Sequence, residues 1–60
     1  MTGEQFVAGA EMTPRGNDWG QPLWSFFNVS ARSSIDVQAA DESAAQAACA
    51  QAWDARLQPR

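Results

Sequence analysis

The sequence predicts an α+β fold, in which a three-stranded antiparallel sheet is followed by one C-terminal helix packed on one face of the sheet (β-β-β-α). Two segments, 23–31 and 34–39, alternate between apolar and polar residues, as half-buried strands do. From residue 42 onward the apolar residues recur with the helical period instead. A chain of 60 residues has room for one core, so residues 1–60 are expected to form a single small domain.

The first strand is predicted over residues 4–13. Its apolar members on one side are Phe6, Ala8, Ala10 and Met12. Gly9 interrupts the alternation and is typical of a bulge. Residues 14–22 contain two prolines, two glycines and an Asn-Asp pair, which are turn-forming residues, so this segment is predicted to be a loop.

The next two strands, 23–31 and 34–39, are separated by Arg32 and Ser33 and are predicted to form a β-hairpin. Alternation places Trp24 and Phe26 on the side opposite Phe27. The large side chains predicted to face the helix are Phe6, Leu23, Phe27, Val29, Ile35 and Val37.

The C-terminal helix is predicted over residues 42–57. Asp41 is a suitable N-cap, and Glu42 places a favourable negative charge in the first turn. The apolar face is almost entirely small: Ala44, Ala45, Ala48, Cys49, Ala52 and Ala55. Such a face lets a helix approach a sheet closely.

One helix covers one face of a sheet, so this arrangement leaves Trp24 and Phe26 on the uncovered face. Exposed aromatic patches mark interaction sites, and Trp is enriched at interface hot spots. The predicted partner-binding residues are therefore Trp24 and Phe26 as anchors, Trp19 as a flanking contact, and Arg32 and Asp36 at the rim. The alternative is that a bulge, or the 14–22 loop folded under the sheet, buries the two anchors within the monomer.

Composition narrows the possible partners. Seven acidic residues oppose four arginines, for a net charge of −3 and an isoelectric point near 4.4. This balance disfavours binding to a phosphate backbone or to an anionic membrane. The single cysteine, Cys49, excludes an intramolecular disulfide and fits a reducing compartment, and the first residues lack the pattern of a signal peptide, so a cytoplasmic location is expected.

No residue is predicted to be catalytic or to bind a cofactor or a metal. The chain has no histidine and no lysine, so Cys49 lacks a conventional base, and its helical position favours a role as a small core residue. Helix capping already accounts for Asp41 and Glu42. The glycines of residues 16–20 match no phosphate-binding motif. An enzyme is therefore not expected.

The strands and the Asp-Glu-x-Ala-Ala-x-x-Ala helix, Leu23 to Leu57, resemble two kinds of nucleic-acid module. They are similar in outline to the closing strand and helix of double-stranded-RNA-binding domains and to the arm-binding domains of phage integrases. Those modules place Lys and Arg on the sheet or at the helix start. Here Asp36, Gln38, Asp41 and Glu42 occupy those places, so the resemblance implies topology only.

The function expected from the sequence is a small acidic interaction protein that binds a protein partner or itself, as a homodimer, through the aromatic face. An accessory regulator or inhibitor would fit this description. The alternatives are a degenerate nucleic-acid-binding module, an acidic mimic of nucleic acid, and a subdomain of a larger assembly.

Overall fold

A computed structural model describes residues 1–16 and 20–57. Along the chain these residues form helix α1 (Gly3–Ala8), strands β1 (Glu11–Gly16), β2 (Leu23–Asn28) and β3 (Ser33–Gln38), and helix α2 (Glu42–Leu57). The three strands pair antiparallel in the order β1-β2-β3. The predicted α+β class, with a three-stranded sheet followed by a C-terminal helix, is confirmed, and α1 is an addition to it.

The first half of the predicted strand 4–13 is wrong, because residues 3–8 are helical. Thr2 and Gln5 form a reciprocal capping box: Thr2 Oγ1 accepts from the Gln5 amide over 3.1 Å, and Gln5 Oε1 accepts from the Thr2 amide over 2.8 Å. The inward residues Gly3, Phe6, Val7 and Ala10 follow the helical spacing i, i+3, i+4, i+7. Phe6, Ala8, Ala10 and Met12 also recur with a period of two, the spacing that predicts a strand.

Strand β1 ends three residues later than predicted, since it includes Pro14, Arg15 and Gly16 of the predicted 14–22 loop. Proline is tolerated there because β1 is an edge strand. The register shifts between Pro14 and Gly16, and Gly16 has a φ of +72°. This bulge interrupts the pairing with β2, which resumes for one pair, Gly16 with Leu23.

The predicted facing of β2 is inverted. Phe26 is buried, whereas Phe27 is 49% exposed and Val29, in the turn after the strand, is 71% exposed. The register explains this result: Phe26 pairs with Ile35 and Trp24 with Val37, and directly paired residues share a face. When an even number of residues connects two regularly paired strands, even-numbered residues of one strand lie opposite odd-numbered residues of the other. The two-residue connection predicted from the sequence also gives this arrangement, which puts Phe26 on the face of Ile35.

Helix α2 has the predicted bounds, Glu42–Leu57. The predicted N-cap is also confirmed, since Asp41 Oδ1 accepts from the Ala44 amide over 2.8 Å. The predicted apolar face is buried at its centre, at Ala45 and Cys49, but exposed at both ends, at Ala44 and Ala55.

The buried core consists of Phe6, Phe26, Ile35, Ala39, Ala45 and Cys49. Helix α2 packs on β3 and β2, and α1 packs on α2. The Phe6 and Trp53 rings stack at 4.5 Å and 20°. The Gly3 amide donates to Asp54 Oδ1 over 2.6 Å. Helix α1 is short, and these contacts with α2 hold it in place, as isolated helices of this length are not stable in water.

Candidate functional site

The two predicted anchors pack toward the interior of the monomer. Phe26 is 1% exposed, within the core. Trp24 is half-buried, and its indole Nε1 donates to the Ala39 carbonyl over 3.0 Å. Both side chains therefore lie on the helix-covered side of the sheet, and the aromatic surface predicted from the sequence does not form.

The remaining predicted contact residues lie apart. Asp36 is exposed on the open face of the sheet. Arg32 is exposed in the β2–β3 turn, with a φ of +52°. Trp19 lies outside the described residues. The structure thus does not bring Arg32 and Asp36 together with Trp24 and Phe26 as one surface.

The open face of the sheet is mainly polar. Arg15 Nε donates to Ser25 Oγ over 3.1 Å, and the Ser25 hydroxyl donates to Asp36 Oδ1 over 2.7 Å, which links the three strands. Phe27 is the large apolar side chain that the described residues present there. A depression of about 300 Å³ follows this face. One half-exposed ring among hydrogen-bonded polar groups is typical of a solvated sheet face.

A larger concave surface lies on the other side of the sheet. This surface, called here the α1–α2 groove, has a volume of about 690 Å³. Ligand sites commonly measure ~300–1,000 Å³, and this surface is open to solvent rather than enclosed. Its lining residues are Glu4, Val7, Ala8, Ala10, Met12, Phe26, Glu42, Ser43, Gln46, Ala47 and Ala50.

The groove results from the way in which two helices share one face. Helix α2 covers β3 and β2, and α1 leans on the second half of α2. The first half of α2 and the edge strand β1 are left with a gap between them. Met12 of β1 is half-buried at this gap, and Phe26 lies at the base with 1% of its surface exposed. Short alanine side chains on α2 keep the gap open, since Ala47 and Ala50 reach only one carbon from the backbone.

The lining of the groove is mixed, with slightly more apolar than polar surface, and its charged groups are acidic. Val7, Met12 and Ala47 contribute carbon surface. Glu4, on α1, and Glu42, on α2, place one carboxylate on each wall, and the described lining residues include no arginine. Every buried side-chain nitrogen and oxygen in the described part of the chain has a hydrogen-bond partner. This surface therefore offers a ligand apolar contact, negative charge and the hydrogen-bonding side chains of Ser43 and Gln46.

Cys49 has the character of a core residue. Its side chain is fully buried, and burial raises the pKa of the thiol to about 11. A thiol held in its neutral form is a poor nucleophile. Among residues 1–16 and 20–57, no group of three or more Cys, Asp or Glu side chains is placed to hold a metal ion.

Sequence reasoning missed the groove because it missed α1. The signal was present in Thr2-x-x-Gln5, a capping-box pattern, followed by apolar residues at helical spacing. Without α1 the groove has no second wall.

Comparison of the chain with protein-family models, curated proteins and solved structures finds no match. Neither described helix is long and apolar enough to cross a membrane.

Proposed function

We propose that this chain is a non-enzymatic protein-interaction module, which binds an apolar segment of a partner protein in the α1–α2 groove. The observation that carries the proposal is the groove itself: about 690 Å³, lined by seven apolar and four polar or charged side chains, and open to solvent along exposed residues such as Ala8 and Ala47. Concave apolar surfaces on small domains are common protein-docking sites.

The polarity of the groove favours a polypeptide over a small polar ligand. A site for a polar metabolite normally contains several convergent donors and acceptors. Here the polar groups, Glu4, Glu42, Ser43 and Gln46, are all exposed, and the base is made by Phe26 and Met12. A row of apolar side chains on a partner segment matches such a surface.

Self-association through the sheet, predicted from the sequence, is left with little support. Of its two anchors, Phe26 is in the core and Trp24 is half-buried against the core. A direct role in nucleic-acid binding is also weak. Arg15 lies near the end of β1 that pairs with Leu23, whereas Arg32 follows the opposite end of β2, so these two cations do not share a surface.

The experiment is a selection of displayed 16-residue peptides against the wild-type chain, followed by binding measurements on two matched variants. Ala47→Trp places a bulky uncharged side chain in the groove. Ala55→Trp makes the same change on an exposed position of α2 outside the groove. Circular dichroism checks that both variants fold.

The proposal predicts that selected peptides bind wild type and Ala55→Trp alike and lose at least tenfold in affinity on Ala47→Trp. Amide shifts on binding should centre on α1 and the first half of α2. Peptides that bind Ala47→Trp as well as wild type, or that shift the open face around Phe27, would overturn it. A concentration-dependent dimer whose interface occupies the groove would also overturn the proposal.

A further inference from the structure

We infer that the partner segment is a cationic amphipathic helix, whose large apolar side chains enter the α1–α2 groove while Lys or Arg residues on its two flanks face Glu4 and Glu42. This inference rests on the proposed function and adds the chemical class of the partner.

The charge of the groove is the first argument, for a cationic partner. Glu4 projects from α1 and Glu42 from α2, so the two walls each bear one carboxylate, and both side chains are exposed. No cation among the described lining residues neutralises them. A segment lying between the walls meets negative charge on both flanks. The net charge of the chain, −3, acts in the same direction and would speed encounter with a basic partner.

The length of the groove and the small size of the residues that line it are the second argument, for a helix with large apolar side chains. The α2 wall runs from Glu42 to Ala50, which is about 12 Å of helix at about 1.5 Å per residue. That length matches two turns of a partner helix, with anchors at positions i, i+3 or i+4, and i+7. Ala8, Ala10 and Ala47 are small, so the partner must supply the volume with residues such as Leu, Met or Phe. Met12 at the base is flexible and adapts to different shapes.

A helix suits the site better than an added strand. A strand would pair with the outer edge of β1, where Pro14 lacks an amide donor and a bulge between Pro14 and Gly16 makes the strand irregular. A helix needs no backbone partner. It would lie beside α1 and α2 on the same face of the sheet.

Glu4 and Glu42 also lie in the first turns of their helices, where negative charge stabilises a helix in any protein. The test must therefore separate binding from stability. Glu4→Gln and Glu42→Gln remove the charges while keeping the side-chain shape. Glu11→Gln is the matched control, since Glu11 is an exposed acid on the opposite face of the sheet.

The probe is a displayed library of 16-residue helical peptides with Leu, Met or Phe at four positions of one face and Lys, Glu, Gln or Ser at random elsewhere. We expect peptides selected on the full chain to be enriched in Lys flanking the apolar face. Each Glu→Gln variant should weaken binding about two- to fivefold, and the double variant about tenfold. Glu11→Gln should leave affinity within about twofold. Raising NaCl from about 0.05 to 0.5 M should weaken the wild-type complex and leave the double variant nearly unchanged.

The two proposals fail in different ways. Peptides that bind in the groove without enrichment in Lys, and whose affinity is insensitive to salt and to both Glu→Gln changes, would overturn the cationic partner and leave the docking groove standing. Peptides that map to another surface, or an absence of any selected binder, would overturn the groove and the inference with it. Denaturation curves of each variant identify any loss of affinity that comes from unfolding.

Discussion

The α-carbon of Gly3 lies directly against the backbone of Ala50, so that a β-carbon on residue 3 would overlap the Ala50 carbonyl group. Gly3 is fully buried at this crossing, and its amide donates to Asp54 one turn further along α2. Glycine at position 3 therefore sets how closely α1 approaches α2. The approach in turn sets the width of the groove.

Gly3→Ala is expected to destabilise the fold by about 1–3 kcal/mol, as overpacking against an immobile backbone does. The measurement is urea denaturation followed by tryptophan fluorescence, because Trp53 stacks on Phe6 of α1. Glu4→Ala, an exposed change in the same turn, is the control and should cost under about 1 kcal/mol. Equal stability of Gly3→Ala and wild type would show that α1 does not dock as described.

Phe26 and Phe27 form a matched pair on opposite faces of β2. Phe26→Ala removes a ring that is 1% exposed and should cost about 3–5 kcal/mol, whereas Phe27→Ala removes one that is 49% exposed and should cost about 1 kcal/mol or less. Phe26→Leu provides a milder change in case the alanine variant does not fold. Thermal and urea unfolding measure both positions, and the reverse order would restore the facing that the sequence predicted.

Asn28 holds α1 to the β2–β3 turn through a fully buried amide. Its Nδ2 donates to the Phe6 carbonyl over 3.0 Å, and its Oδ1 accepts from the Ala31 amide over 3.0 Å. Asn28→Leu leaves both backbone groups unpaired and should cost about 2–4 kcal/mol. Hydrogen exchange should show the loss at the Ala31 amide first. Ser30→Ala, at an exposed position in the same turn, serves as control. Comparable losses in both variants would show that the two Asn28 hydrogen bonds do not stabilise the fold.

The raised pKa of the Cys49 thiol predicts that the protein loses stability at alkaline pH. The folded state raises the pKa of its thiol from 9.0 to about 11, so between these values the unfolded chain loses a proton that the native state keeps. The free energy of unfolding should therefore fall as pH rises from about 9 to 11, by up to about 1.4 kcal/mol per pH unit. The chain has no lysine and no tyrosine, so few other groups titrate in this range.

Cys49→Ala is the control for that slope. It should be less stable at pH 7, because it leaves a small cavity, but its stability should vary little between pH 9 and 11. Titration with a thiol reagent gives a second readout: native Cys49 should react far more slowly than the urea-unfolded chain. A slope that persists in Cys49→Ala would assign the effect to other groups.

Arg32 occupies a left-handed backbone conformation, with a φ of +52°, at the last position of the turn before β3. A non-glycine residue is strained there. Arg32→Gly should stabilise the fold by about 0.5–1 kcal/mol, the relief of strain exceeding the added freedom of the unfolded chain. Ser30→Gly, at a turn position without a positive φ, should instead destabilise it slightly. A lower melting temperature for Arg32→Gly would indicate that the Arg32 side chain stabilises the fold by more than the backbone strain destabilises it.

The sequence alone determined the parts of this protein in which local chemistry is unambiguous. Helix α2 was predictable to its end residues, because Asp41 caps it and alanine favours it throughout. The positions of β2 and β3 followed from alternation, to within a few residues at their ends. Asp36 was correctly assigned to the outward side of β3.

Tertiary structure decided what the local patterns left ambiguous. Residues 3–8 carry both a helical and a strand-like spacing, and the stacking of Phe6 on Trp53, 47 positions away in sequence, accompanies the helical form. Adjacent Phe26 and Phe27 compete for one core, and the pairing of Phe26 with Ile35 settles which is buried. The groove depends on both outcomes, since α1 is one wall and Phe26 the base. A surface assembled from segments distant in sequence depends on how these segments pack, and no local pattern specifies that packing.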